Sequence, residues 1–244
     1  MAKMMIVGRR RGGMTTNELH TYMVDVHGAM VVDYIGRQPE AAPQRYVQNH
    51  VFDGTFRADA EAGDSFGLNR DFVTQVWFAS AAHAKASLET SFYLDQLRPD
   101  EDRFVDQASV VQIPVAEHEL LTAQTAARAG APSSKVFMFL KRAPSVTRDD
   151  FLGACQRMTK PLRVGPAALA LGIGRWVHNE CLSRPGMDAP VDAIEEVWLD
   201  GEAAARSLGA ELLGLASHAL SGLAAPQSTC LLLARERVLH AGSH

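Results

Sequence analysis

A chain of 244 residues is natural for two units of about 100–150 residues each, so two small domains or one closed pair is the starting expectation. Its 24 basic and 28 acidic side chains leave a formal charge of -4, which shows no electrostatic footprint for nucleic acid or an anionic membrane and leaves a small neutral or mildly anionic ligand open. Three scattered cysteines (Cys155, Cys181, Cys230) exclude a disulfide framework or a CxxC pair, and no run approaches the roughly 18 apolar residues of a membrane span, so a soluble cytoplasmic protein is expected.

The first element is the apolar run at residues 4–7, which reads as a strand and leads through basic residues and glycines to Thr15 and Glu18 at N-cap and N3 spacing. This order recurs: "MMIVGRRRGGMTTNEL" from Met4 lies without a gap over "VFMFLKRAPSVTRDDF" from Val136, with Thr147 and Asp150 as the second cap. A second strand is predicted at "RYVQNHVF" (Arg45) and "RWVHNECL" (Arg175), sharing a Val-x-Asn register. A third is predicted at "DFVTQVWFAS" (Asp71) and "DAIEEVWLDG" (Asp192), each before an alanine-rich helix. "SVVQIPV" and "STCLLLA" supply a closing strand to each half. The pattern is βαββαβ twice, which predicts an α+β chain of two tandem ferredoxin-like domains, residues 1–121 and 135–244, with a linker at 122–134. The bare face of each four-stranded sheet predicts an intrachain α+β barrel with an interior cleft; the plain alternative is that side chains fill that space.

On the first helix, Leu19, Met23, Val26 and Met30 recur at helical spacing, which puts His27 at the edge of the buried stripe and Tyr22 on its other flank, with His20 toward the surface. The second copy rebuilds the stripe with Phe151, Cys155 and Met158 but has Thr159 for His27 and Ala154 for Tyr22. The first copy therefore reads as chemically equipped and the second as scaffold. A half-buried imidazole that merely makes a hydrogen bond is the competing reading for His27. On the second strand Tyr46, Gln48 and His50 alternate to one face and Val47, Asn49 and Val51 to the other, and register alone does not say which face carries a site.

"RRRGGMTTNELHTYMVDVHGAMV", "RYVQNHVFD", "VTQVWF" and "RPDEDRFVD", in that order over roughly residues 3–119, resemble an EthD-type domain of the dimeric α+β barrel superfamily. The second half resembles it more weakly, without the histidine or the acidic segment. The resemblance implies a water-excluding cleft in which one or two side chains move protons. An imidazole titrates near neutrality, so His27 is the expected general acid/base. Tyr46 and Asn49 are expected as donors to a developing oxyanion, His50 as a second acid, and Tyr22 and, more weakly, Asp25 as positioning groups. Tyr22, Trp77 and Trp176 are the candidate substrate-binding surfaces, although Trp77 and Trp198 occupy matching third-strand positions that packing alone would explain.

No GxGxxG after a strand, Walker loop, HExxH or acidic calcium loop is present, and the surroundings of haem-ligating histidines in related barrels find no match, so neither cofactor nor metal is expected. The expected activity is a cofactor-independent lyase, isomerase or cyclase acting on a hydroxylated aromatic or polyketide-like molecule. A cofactor-free monooxygenase and a non-catalytic small-molecule binder are the alternatives, and further homodimerisation is compatible with either.

Overall fold

Among the described residues eight strands and six helices follow the order read from the sequence, βαββαβ twice, with two additions: a second helix before the fourth strand and a short helical turn before the sixth. The computed structural model describes residues 1–55, 69–122, 133–164, 166–183, 188–225 and 229–242. The expected linker at 122–134 lies almost wholly outside them. The strands are β1 (Ala2–Arg10), β2 (Arg45–Gly54), β3 (Phe72–Phe78), β4 (Val105–Thr122), β5 (Ser134–Leu140), β6 (Ile173–Cys181), β7 (Ala193–Leu199) and β8 (Cys230–His240). The helices are α1 (16–37), α2 (Ala81–Leu88), α3 (91–104), α4 (Arg148–Arg163), the short α5 (Pro166–Ala170) and α6 (Glu202–Ala219). By hydrogen bonding the strand order is β1-β3-β2-β8-β5-β7-β6-β4, closing as an antiparallel barrel. Among the described residues no helix is long and apolar enough to cross a membrane.

Contacts group the chain into two compact units: residues 1–50, 70–114 and 237–244, and residues 51–69 and 115–236. In the first, β3 lies between β1 and β2, with Met5 opposite Gln75 and Asn49 opposite Val73. The helices bury Leu19, Met23, Val31, Tyr34 and Phe104 against one face of this sheet, the face that carries Tyr46, Val76 and Phe78. In the second, β5 lies between β7 and β8, β6 follows β7, and β4 pairs with β6 across a bulge between Glu119 and Leu121. Phe151, Cys155 and Met158 of α4 and Leu208 and Leu212 of α6 form its core with Trp176 and Val197.

Each unit closes its first strand–helix turn with the same ion-paired device. Arg10 donates its backbone N–H (2.8 Å) and Nη1 (2.5 Å) to Asp71 and its Nε to the Met14 carbonyl. Arg142 repeats this with Asp192 and the Val146 carbonyl. Both predicted caps are formed: Thr15 accepts from the Glu18 amide while Glu18 reaches back to the Thr15 N–H, and Thr147 accepts from the Asp150 amide. Such caps satisfy amides that the first helical turn leaves without intrahelical partners. All three cysteines are buried as free thiols.

The helical stripe predicted for α1 is correct at Leu19 and Met23 and then breaks, because Val26 is 39% exposed. The cause is a π-helical segment at Met23–Gly28 inside an otherwise α-helical rod. One extra residue in the turn lengthens the four-residue step from Met23 to five, so the next inward position is Gly28, and the buried stripe resumes at Val31, Tyr34 and Ile35. Its counterpart α4 is α-helical throughout and keeps the regular stripe.

Candidate active site

The π-turn carries His27, and its imidazole Nδ1 lies 3.0 Å from Oδ2 of Asp100 on α3. The other oxygen of that carboxylate accepts a 2.6 Å hydrogen bond from the Tyr22 hydroxyl. One carboxylate therefore bridges the histidine and the tyrosine, whose matching sequence positions in the second half are Thr159 and Ala154. Phe104, one helical turn beyond Asp100, packs against both rings, with centroids 4.9 Å from His27 and 5.3 Å from Tyr22. Its buried ring fixes the spacing of the two helices, so Phe104→Ala would cost about 3–5 kcal/mol and loosen the site as well as the core.

The carboxylate is the anchor of the group. Asp100 is 5% exposed. Burial alone would raise its pKa, but hydrogen bonds from His27 and Tyr22 outweigh it and hold the carboxyl below its ordinary value. The Tyr22 phenol is pushed up, by burial first and by its carboxylate partner second, so it remains a donor. With Nδ1 turned to an acceptor, the imidazole keeps its N–H there and presents Nε2 as the free lone pair; Nε2 has no hydrogen-bond partner among the described residues. Glu101, next to Asp100 in the chain and within the electrostatic reach of His27, is pushed up by burial and accepts a 3.2 Å bond from the Tyr93 hydroxyl, so this carboxyl favours its proton more than an exposed glutamate does. An open groove of about 490 Å³ lined by Met14, Asn17, Glu18, Thr21, Asp25 and Tyr22 adjoins the tyrosine side of the group.

The other predicted residues fall elsewhere. Tyr46, Gln48 and His50 point toward the helices. Tyr46 is buried in the helix-facing core, accepts from Gln48 Nε2 and has a phenol pushed far up by burial. His50 meets Gln48 Oε1 at 3.0 Å and stacks on His20 with centroids 4.4 Å apart; His20, expected at the surface, is packed there with its Nε2 3.1 Å from the Asp71 carbonyl. Asn49 lies on the opposite face of β2, donating to the Val73 carbonyl and to Gln75 Oε1. Tyr46 and Asn49 therefore do not converge on one oxyanion, because alternation puts them on opposite faces of the sheet. Trp77 shares Asn49's face and is sandwiched by Lys3 and Arg45, a packing role. Asp25, weak as a positioning candidate, does not meet His27, whereas Asp100 does; its segment "RPDEDRFVD" carried part of the EthD resemblance without a role being expected of it.

The second unit is not chemically empty. Glu195 accepts from Trp176 Nε1 at 2.7 Å and lies 2.7 Å from His178 Nδ1, with both partners fully buried. Trp176 is thereby a core residue of this unit, hydrogen-bonded through its indole. Burial disfavours the His178 charge, but the hydrogen bond and charge of Glu195 outweigh it and raise the imidazole above 6.5. A raised folded pKa contributes stability that is complete below the unfolded value and disappears as pH rises through the folded one. The melting temperature is therefore expected to fall as pH increases above about 6.5, and His178→Phe should flatten that slope; an unchanged slope in the variant would remove His178 as the cause.

Residues 11–108 match the family described as EthD domain. This stretch is an EthD domain. It contains His27, Tyr22, Asp100 and Phe104, the whole constellation just described. No curated protein matches the chain. Among solved structures, an anthrone oxidase-like protein is similar over 98% of this chain and 93% of its own, at 12% identity and a TM-score of 0.59. A proposed monooxygenase from Lactobacillus acidophilus NCFM covers 98% and 97% at 9% identity and a TM-score of 0.54. A proposed chlorite dismutase, TA0507, covers 98% and 96% at 9% identity and a TM-score of 0.51. At these identities the likeness is one of fold. The names correct the expectation of a lyase, isomerase or cyclase, since the proteins built like this one are named for oxidase, monooxygenase and chlorite dismutase activity instead.

Proposed function

We propose that the EthD domain serves a cofactor-free monooxygenase or oxidase acting on a hydroxylated cyclic or aromatic small molecule with an acidic C–H bond. The observation that carries this reading is the Tyr22–Asp100–His27 chain, which leaves Nε2 as a base of fixed direction. His27 removes a proton from a methylene flanked by a carbonyl or aryl group. The resulting carbanion passes one electron to dioxygen, and the radical pair recombines into a C–O bond. Protonation by the imidazolium gives a hydroperoxide, which loses water with the second C–H hydrogen to leave a ketone. The atoms balance, since one methylene compound and one dioxygen give one ketone and one water. Tyr22 and Asp100 compensate the charge on the ring while it holds the proton, and the Glu101 carboxyl feels that charge.

The two halves are read as tandem ferredoxin-like domains, residues 1–121 and 135–244, the second a degenerate copy without the His27 constellation. The repeated Arg10–Asp71 and Arg142–Asp192 devices support this reading.

The test uses anthrone, whose methylene belongs to the required class, followed by other hydroxylated polycyclic ketones. Oxygen consumption and product mass are recorded with wild type and His27→Ala. One oxygen atom added with two hydrogens lost, absent in the folded variant, supports the proposal. A variant that turns over at the wild-type rate refutes it, and tight binding without oxygen uptake favours a carrier. A His27 general base is expected to contribute about 10²–10⁴-fold.

A further inference from the structure

Gln48 is fully buried beneath α1 and is not one of the groups assigned chemistry above. In a π-turn a carbonyl accepts from the amide five residues on, and its second lone pair is open to a partner from elsewhere. Gln48 Nε2 supplies that partner, donating to the Met23 carbonyl at 2.6 Å from β2. The rest of the amide is also fixed: Nε2 is 2.8 Å from the Tyr46 hydroxyl and Oε1 is 3.0 Å from His50 Nε2. At the other end of the turn, a Cβ on Gly28 would lie 2.6 Å from Leu239 Cδ1, 2.7 Å from the Met23 carbonyl oxygen and 3.2 Å from Gln48 Nε2. A side chain there would press on the Met23 carbonyl that Gln48 holds, so the close-packed turn favours glycine.

The second copy shows the same helix without the device. His178 stands where the repeat puts Gln48 and is engaged with Glu195. Thr159, in the place of His27, bonds through Oγ1 to the Cys155 carbonyl, which corresponds to Met23, at 3.2 Å. There the carbonyl is satisfied inside the helix, and α4 stays α-helical.

We infer that Gln48 is the positioning residue of the site, holding open the π-turn that aims His27 at Asp100. An added residue rotates all that follows by about 100° relative to an unbroken α-helix. Without it the inward position passes to Val26 and the imidazole turns away from α3. The inference deepens the proposed function, resting on His27 as the base.

The test compares wild type with Gln48→Met, which keeps the volume and removes the donor, and with Gly28→Ala. The His27 ring nitrogens and their protons are followed by NMR, assigned with His27→Ala, and folding is checked by near-ultraviolet circular dichroism. In both folded variants the hydrogen-bonded Nδ1 proton resonance of His27 is expected to be lost, and kcat to fall about 10²-fold with little change in KM. A folded Gln48→Met with the wild-type His27 resonance overturns the inference. So does collapse of both variants together with Gln48→Glu, which would make Gln48 a packing residue. Absence of oxygen uptake by wild type defeats the proposed reaction alone, since the resonance is read without substrate.

Discussion

Asp100→Asn is expected to lower the turnover number for oxygen uptake by about 10²–10⁴-fold while the protein stays folded. The amide keeps the shape of the carboxylate, and its oxygen can still accept from Tyr22. Its NH2 group would then face His27 Nδ1, which must become an acceptor, and the ring proton moves to Nε2. The base would thus be silenced by choice of tautomer rather than by removal, with kcat falling and KM nearly constant. Turnover within about threefold of wild type would show that the carboxylate does not orient the base. The same residue links the site to acid stability. Its folded pKa is depressed, so its stabilising contribution is present above the unfolded value of 3.8 and lost as pH falls through the folded one.

Lys135→Met is expected to destabilise the protein by about 3–5 kcal/mol, measured by denaturant unfolding. Lys135 Nζ is 2.8 Å from Glu196 Oε1 and 2.7 Å from Glu236 Oε1, and sits 4.1 Å over the Trp198 ring, with the Lys135 and Glu196 side chains essentially excluded from water. Burial would raise the Glu236 carboxyl, yet the lysine charge and hydrogen bond hold it below its ordinary value, so it stays ionised. Removing the lysine leaves two carboxylates facing each other in a dry space. Neutralising all three groups together, Lys135→Met with Glu196→Gln and Glu236→Gln, is expected to restore most of the loss, because the desolvation cost disappears with the charges. A single variant within about 1 kcal/mol of wild type would show that other groups carry the charge balance.

The strands and caps were legible because their signals are local. Alternation places side chains on faces two residues at a time, and Thr15 with Glu18 needs only one helical turn to act. His27 was singled out only by comparing the two halves of the sequence and by the family resemblance. Its partner was not, because Asp100 lies 73 residues away and meets it through the packing of two helices. The π-turn also escaped the periodicity. A 3.6-residue template fits Leu19 and Met23 and then continues to Val26, while the energetic reasons to step by five instead, the Gln48 amide and the missing Gly28 side chain, lie on another strand or consist of an absence. The polar character of both faces of β2 was visible without its meaning. One face braces a helix, and the other binds its neighbouring strand through Asn49.

The sealed cysteines acquire a different significance if the chain handles dioxygen. Peroxide attacks thiolates far faster than thiols, and burial pushes the Cys155 and Cys181 thiols well above their ordinary range. Cys230 is also buried. The sulfurs most open to oxidative damage are thus kept protonated and out of reach, so escaping reactive oxygen would leave them intact while the fold persists.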